Sequence, residues 1–152
     1  MAIRFYWEDF VPGWKYESRP RLIHADEMVA FAREFDPQPY HADAEAARNT
    51  PFGGLIASGW QTAAICMRLM CDGYLLETSC IGSPGLEELR WLKPVRPGDA
   101  LWLRSTVLEQ TPSQKVATRG TVKFRWEILN QTGDVVCSMV GRQHYLRRSP
   151  AA

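Results

Sequence analysis

Apolar residues recur along this chain with two periods, helical in the first half and alternating in the second. From Asp26 to Phe35, the residues Met28, Phe31, Ala32 and Phe35 fall on one face of a short amphipathic helix. From Ser58 to about Cys71, Trp60, Ala63, Ala64, Met67 and Met70 spread over much of a helix, and Arg68 is the only charge before Asp72. A helix with so little polar surface belongs inside, wrapped by other elements. Ser58 suits its N-cap and Gly73 its stop. A brief helical turn is expected near Asp43 to Arg48.

The wrapping comes from strands. Four segments, about Ile81–Leu92, Ala100–Gln110, Lys115–Leu129 and Val135–Leu146, are separated by turn signals at Pro94–Asp99, Thr111-Pro112-Ser113 and Asn130–Asp134. Lys15 to Ile23, after the turn Val11-Pro12-Gly13-Trp14, reads as a first strand. The pattern predicts an α+β fold: an antiparallel sheet of about five strands curled around one long central helix.

Length and composition narrow the class. A chain of 152 residues makes a single domain with a substantial core, here about Val11 to Leu146, and Ser149 onward reads as a loose tail. A net charge of +1 gives no electrostatic case for nucleic acid or a membrane surface. No apolar run approaches the roughly 18–20 residues that span a bilayer, and the first residues lack the pattern of a signal peptide. Cys66, Cys71, Cys80 and Cys137 show neither metal-ligand nor disulfide-framework spacing. Reduced thiols in the cytoplasm and no metal are the expectation.

The chemistry concentrates in Phe35-Asp36-Pro37-Gln38-Pro39-Tyr40-His41-Ala42-Asp43 and Pro51-Phe52-Gly53-Gly54-Leu55-Ile56-Ala57-Ser58-Gly59-Trp60. Pro37 and Pro39 each lack an N–H and push the preceding residue toward extended geometry, so Asp36 and His41 cannot share a regular helix. A stiff loop instead holds a carboxylate and an imidazole at fixed separation beside a glycine-rich turn. That turn leads to a helix N-terminus, whose unpaired N–H groups and partial positive charge suit a developing oxyanion. The combination is an acid/base pair next to an oxyanion site.

These residues carry a resemblance. Asp36-Pro37-Gln38-Pro39-Tyr40-His41, Ala46, Ile56-Ala57-Ser58-Gly59 entering the helix, and Leu92-Lys93-Pro94-Val95-Arg96-Pro97-Gly98-Asp99 resemble the MaoC-like dehydratase family, the R-specific enoyl-CoA hydratase branch of the hot-dog fold. The resemblance spans roughly Val11 to Leu146. It implies that Asp36 and His41 hold a water and shuttle a proton to the substrate α carbon, and that the Gly59 N–H polarises the thioester carbonyl. The implied reaction is reversible addition of water to a trans-2-enoyl thioester, giving a 3-hydroxyacyl thioester. It requires no cofactor beyond the CoA, or acyl-carrier protein, that is part of the substrate.

Three positions depart from the family pattern: Gln38 replaces the usual Asn, Ser58 stands where many members have His, and Met67 falls where a serine is common. With Tyr40 and the bulky Trp60, they form the expected substrate-binding set. Arg90, Lys93 and Arg96 cluster around a strand and its turn, where solubilising the edge competes with meeting CoA phosphates. His24 and His144 have no partnering pattern. Six Trp, six Phe and five Tyr exceed what one helix and one sheet face can bury, so at least a homodimer is expected. Rival readings are a hot-dog thioesterase, a non-catalytic acyl-thioester binder, and a dehydratase of branched or dicarboxylic acyl-CoA.

Overall fold

The computed structural model describes residues 2–149, so the end of the expected tail lies outside the described residues. The alternating segments become β3 (Cys80–Trp91), β4 (Ala100–Pro112), β5 (Arg119–Leu129) and β6 (Val135–Leu146). Two short strands, β1 (Lys15–Glu17) and β2 (Arg21–Leu22), both pair with β4. The result is an antiparallel sheet of six strands in the order β1-β4-β5-β6-β3, with β2 beside β4. Six replace the expected five because Lys15–Ile23 breaks in two around Pro20, which has no N–H to continue the ladder. Strand β4 runs through Pro112, expected as a turn, because that residue sits at the strand's end.

Alternation along β4 sends Leu101, Leu103, Ser105 and Val107 inward, and β5 does the same with Val122, Phe124, Trp126 and Ile128. The long helix α4 (Gly59–Gly73) packs on this inner face, against β4 and β5, and buries Ile65, Cys66, Leu69 and Met70. Burial pushes the Cys66 thiol well above its ordinary pKa, and the Cys137 thiol to about 11. Gly73 does end the helix, but without a left-handed φ; the Tyr16 phenol occupies the space a Cβ would need. Among the described residues no helix is long and apolar enough to cross a membrane.

Past α4, Tyr74 enters an aromatic cluster. Its hydroxyl donates to Ser105 Oγ at 3.1 Å and accepts from Trp126 Nε1 at 3.2 Å. Phe10 packs against Tyr145, their ring centroids 4.7 Å apart, and Phe124 stacks on Trp126 at 5.3 Å. Burial raises the phenol pKa of Tyr74 and Tyr145, so both stay neutral donors.

Three further α-helices precede α4: α1 (Ala25–Phe35), which packs against α4, α2 (Pro39–Ala42), which packs against α1, and α3 (Ala44–Arg48), which packs against α2. Met28 and Ala32 are buried on α1, but Phe35, placed on the same face by its spacing, is 65% exposed at the helix end. The stretch expected as a pure loop is partly helical. Pro39 opens α2, where a missing N–H costs nothing, and Asp43 caps α3 by accepting from the Glu45 and Ala46 N–H groups.

Candidate active site

Asp36 is the C-cap of α1 and His41 lies on α2, so the two prolines break what would otherwise be one helix into two that converge. His41 is buried, and its Nδ1 lies 2.8 Å from the Ile56 carbonyl oxygen. A carbonyl only accepts, so Nδ1 carries a proton, and the neutral tautomer with that proton has its lone pair at Nε2. That Nε2 lies 3.4 Å from Asp36 Oδ2.

The Asp36 carboxylate is held on both oxygens. Gln38 Nε2 donates to Oδ1 at 2.7 Å, and Ser58 Oγ donates to Oδ2 at 2.7 Å. The Tyr40 hydroxyl donates in turn to Gln38 Oε1, while its ring packs edge-on against His41 and tilts against Phe52. Burial pushes the Asp36 carboxyl up, but the bonds from Ser58 and Gln38, with the nearby His41, outweigh it and hold the pKa below the usual carboxylate value. With that tautomer, the ionised carboxylate and Nε2 are a pair of acceptors facing one space. Such a pair can take both hydrogens of a single water.

The space is a cavity of about 410 Å³ bordered by Asp36, Gln38, His41 and Gly59. Its remaining walls are mostly apolar, among them Phe52, Ile56, Val95 and Val136. The N-terminus of α4 opens onto it. Ser58, the N-cap, gives its hydroxyl to Asp36 and makes no side-chain cap. The first intrahelical bond runs from the Thr62 N–H to the Ser58 carbonyl, so the Gly59 N–H has no helical partner.

Gly59 itself has a second reason to be glycine. A Cβ there would lie 2.6 Å from Trp91 Nε1, because the indole rests on the helix start and donates to the Gly59 carbonyl at 2.8 Å. Trp60 then meets Trp91 edge-on at 5.2 Å. Close approach by an indole, in addition to any ligand, fixes this position.

Of the expected substrate-binding set, Gln38 and Trp60 line the cavity. Ser58 is wholly buried against Asp36 and Tyr40 braces Gln38 from behind, so both support the cavity rather than border it. Met67 is 46% exposed and lies off the cavity wall, two turns along α4. Thr62, Trp91, Val95 and Val136 border the cavity without having been singled out. Spacing carried no signal for them, because they arrive from β3, from the loop after it, from β6 and from the interior of α4.

Among the basic cluster, Lys93 borders the cavity and pairs with Asp134 at 2.9 Å. Arg90 pairs with Glu88, and Arg96 clamps the glycine turn through the carbonyls of Phe52 and Gly54. His144 meets Thr121 at 2.9 Å, away from the cavity. No group of three or more His, Cys, Asp or Glu residues is gathered to hold a metal among the described residues.

The model of the MaoC-like domain matches residues 9–125. This chain belongs to the MaoC-like dehydratase family. A solved MaoC-like dehydratase from Rhodospirillum rubrum superposes with a TM-score of 0.89 at 42% identity, covering 96% of this chain and 99% of that one. The uncharacterized protein YdeM of Bacillus subtilis is 33% identical over 107 residues, which is 70% of this chain and 76% of YdeM. Mesaconyl-CoA hydratase of Cereibacter sphaeroides is 38% identical over 77 residues, spanning 51% of this chain but 22% of that much longer protein. The family's fold is the hot dog, and the sheet wrapped on α4 has that architecture.

Proposed function

We propose that this protein catalyses reversible hydration of a trans-2-enoyl-CoA to a 3-hydroxyacyl-CoA. The observation that carries the reading is the Nδ1–H bond from His41 to Ile56, which leaves Nε2 facing the ionised Asp36 within the cavity. Membership of a family named for dehydratases, and similarity to a relative named mesaconyl-CoA hydratase, support the same reaction class.

In the proposed mechanism, a water held between Asp36 Oδ2 and His41 Nε2 attacks C3 of the enoyl group. A new C–O bond forms, the C2–C3 π pair moves toward the thioester, and negative charge grows on its oxygen. The Gly59 N–H, at the positive end of α4, donates to that oxygen. One proton of the water passes to the pair, and the pair returns a proton to C2. Atoms and charge balance without a redox partner or metal, and CoA enters only as part of the substrate. A carrier-protein thioester presents the same reacting atoms.

The reading includes a homodimer. Strand β3 is the long free edge of the sheet and exposes Ile81, Leu86 and Trp91, while the other edge, β1, has only three residues. A second copy paired along β3 would cover that edge. A cytoplasmic location accords with four unpaired cysteines.

The test is loss of enoyl-thioester absorbance with a panel of trans-2-enoyl-CoAs of different length, branching and terminal charge, with Asp36→Asn alongside. Hydration by the wild type, lowered at least 100-fold in the variant, is expected. Release of free thiol instead would replace the reading with a thioesterase, and binding without either reaction would make the protein an acyl-thioester binder.

A further inference from the structure

Among the polar groups on the cavity wall outside the Asp36–His41 network, Lys93 pairs with Asp134 and the Trp91 N–H with the Gly59 carbonyl. Thr62 is 3% exposed, borders the cavity, and sits one turn after Gly59 on α4. A helical threonine commonly turns its hydroxyl back onto the carbonyl four residues earlier. Here the Ser58 carbonyl takes the Thr62 N–H at 3.2 Å, and the hydroxyl bonds to no described residue. Nor is it sealed away: the fully enclosed, partnerless side-chain atoms among the described residues are Gln61 Oε1 and Arg147 Nε. An unpaired hydroxyl on a residue this buried, with its remaining opening onto a cavity, lacks a partner that a ligand can supply.

Helix geometry says where such a ligand atom would be. Side chains three residues apart share a face, and each leans toward the helix N-terminus. Thr62 therefore leans over the turn of Gly59, whose N–H opens at the same end of the cavity. The neighbouring Gln61 points elsewhere, donating to the Glu27 carbonyl. Most of the other lining residues, Ile56, Val95 and Val136 among them, are apolar.

We infer that the Thr62 hydroxyl is a second hydrogen-bond donor, beside the Gly59 N–H, to the carbonyl oxygen of a thioester bound in the cavity. The inference rests on the thioester reading of the site. It adds a side-chain donor to a backbone donor, so that the oxygen gaining charge during hydration is held from two directions.

Thr62→Val removes the hydroxyl and keeps the shape, whereas Thr62→Ser keeps the hydroxyl. Both would be compared with the wild type in thermal unfolding, in hydration of crotonyl-CoA, and in calorimetric binding of butyryl-CoA. The valine variant is expected to lose about 10- to 100-fold in kcat with little change in KM. Its midpoint of unfolding should be unchanged or raised, and the serine variant should recover most of the rate. Wild-type rates in Thr62→Val, or equal loss in both variants together with lowered stability, would overturn the inference while leaving the hydratase reading intact. If the wild type hydrates no enoyl-CoA, that reading falls and the butyryl-CoA affinity decides. About tenfold weaker binding by the valine variant would support the contact, and equal affinities or no binding would end it.

Discussion

At its C-terminal end, α4 runs into Tyr74, whose hydroxyl is claimed by Ser105 and Trp126 beneath Phe10 and Trp14. At its N-terminal end, Ser58 gives its hydroxyl to Asp36, and the donors of the first turn open onto a cavity. Both ends are rich in polar atoms with aromatic neighbours. At one end the polar atoms satisfy one another; at the other, lone pairs and N–H groups are aimed at a space large enough for a ligand. Buried polar networks that close on themselves contribute rigidity, and networks left open toward a cavity are where chemistry is possible. The comparison predicts that damage at the two ends separates into lost turnover and lost stability.

The largest effect is expected at the open end. His41→Ala removes the Nε2 acceptor and should lower hydration by about 10²- to 10⁴-fold. The cost in stability should be modest, about 1 kcal/mol for the freed Ile56 carbonyl beside the cavity. Steady-state rates and thermal unfolding on the same preparation check both halves. A variant that unfolds readily but turns over normally when folded would invert the comparison.

A smaller effect of opposite kind belongs to the closed end. Tyr74→Phe leaves the Trp126 N–H without its acceptor and Ser105 without its donor, in a region with no access to water. The expected loss is about 1–3 kcal/mol, read as a lower urea midpoint at unchanged slope. The folded variant should keep its kcat. A fall in kcat would mean that the aromatic cluster sets the geometry at the other end of α4.

The closed end was largely legible in the sequence, and the open end only in part. Alternation along β4 and β5 marks their inward residues because the local period of two is imposed by the pleat itself. The low charge of α4 suggested a helix enclosed on most sides, but only one face is buried, through Ile65, Cys66, Leu69 and Met70, and the expected Trp60 and Met67 are exposed on the other. Edge strand β3 carried less signal, since little covers it and its glycines at 82 and 85 adopt positive φ. In the site, the Asp36–His41 relation was legible because prolines fix a short stretch of chain. The Ser58–Asp36 bond joins residues 22 apart, and the Trp91 contact with Gly59 joins residues 32 apart. Such pairs are made by packing, and a single sequence does not announce them. Thus Ser58 looked like a helix cap, and the hydroxyl that would cap went to the carboxylate instead.

That substitution of roles gives the smallest and most discriminating effect. Ser58→Ala removes one of the two donors that hold Asp36, and with it part of the downward pull on the carboxyl pKa. In the wild type the folded pKa lies below the ordinary value of 3.8, so the contribution of Asp36 to stability is fully present above that value. It is lost as pH falls through the lower, folded value. In Ser58→Ala the folded value moves up toward 3.8, and the protein should lose this protection at higher pH than the wild type does. NMR titration of the Asp36 carboxyl, with acid unfolding alongside, reads the shift directly. At neutral pH Asp36 stays ionised in both proteins, and kcat should fall less than about tenfold, since Gln38 still orients the carboxylate. An upward titration, with a neutral-pH stability loss no larger than that shift accounts for, would place Ser58 with the open end, as a positioning residue. A clear loss of stability at pH 7 with no change in the Asp36 titration would instead give this buried serine the same role as Tyr74, that of closing a network, and the division between the two ends of α4 would have to be redrawn at residue 58.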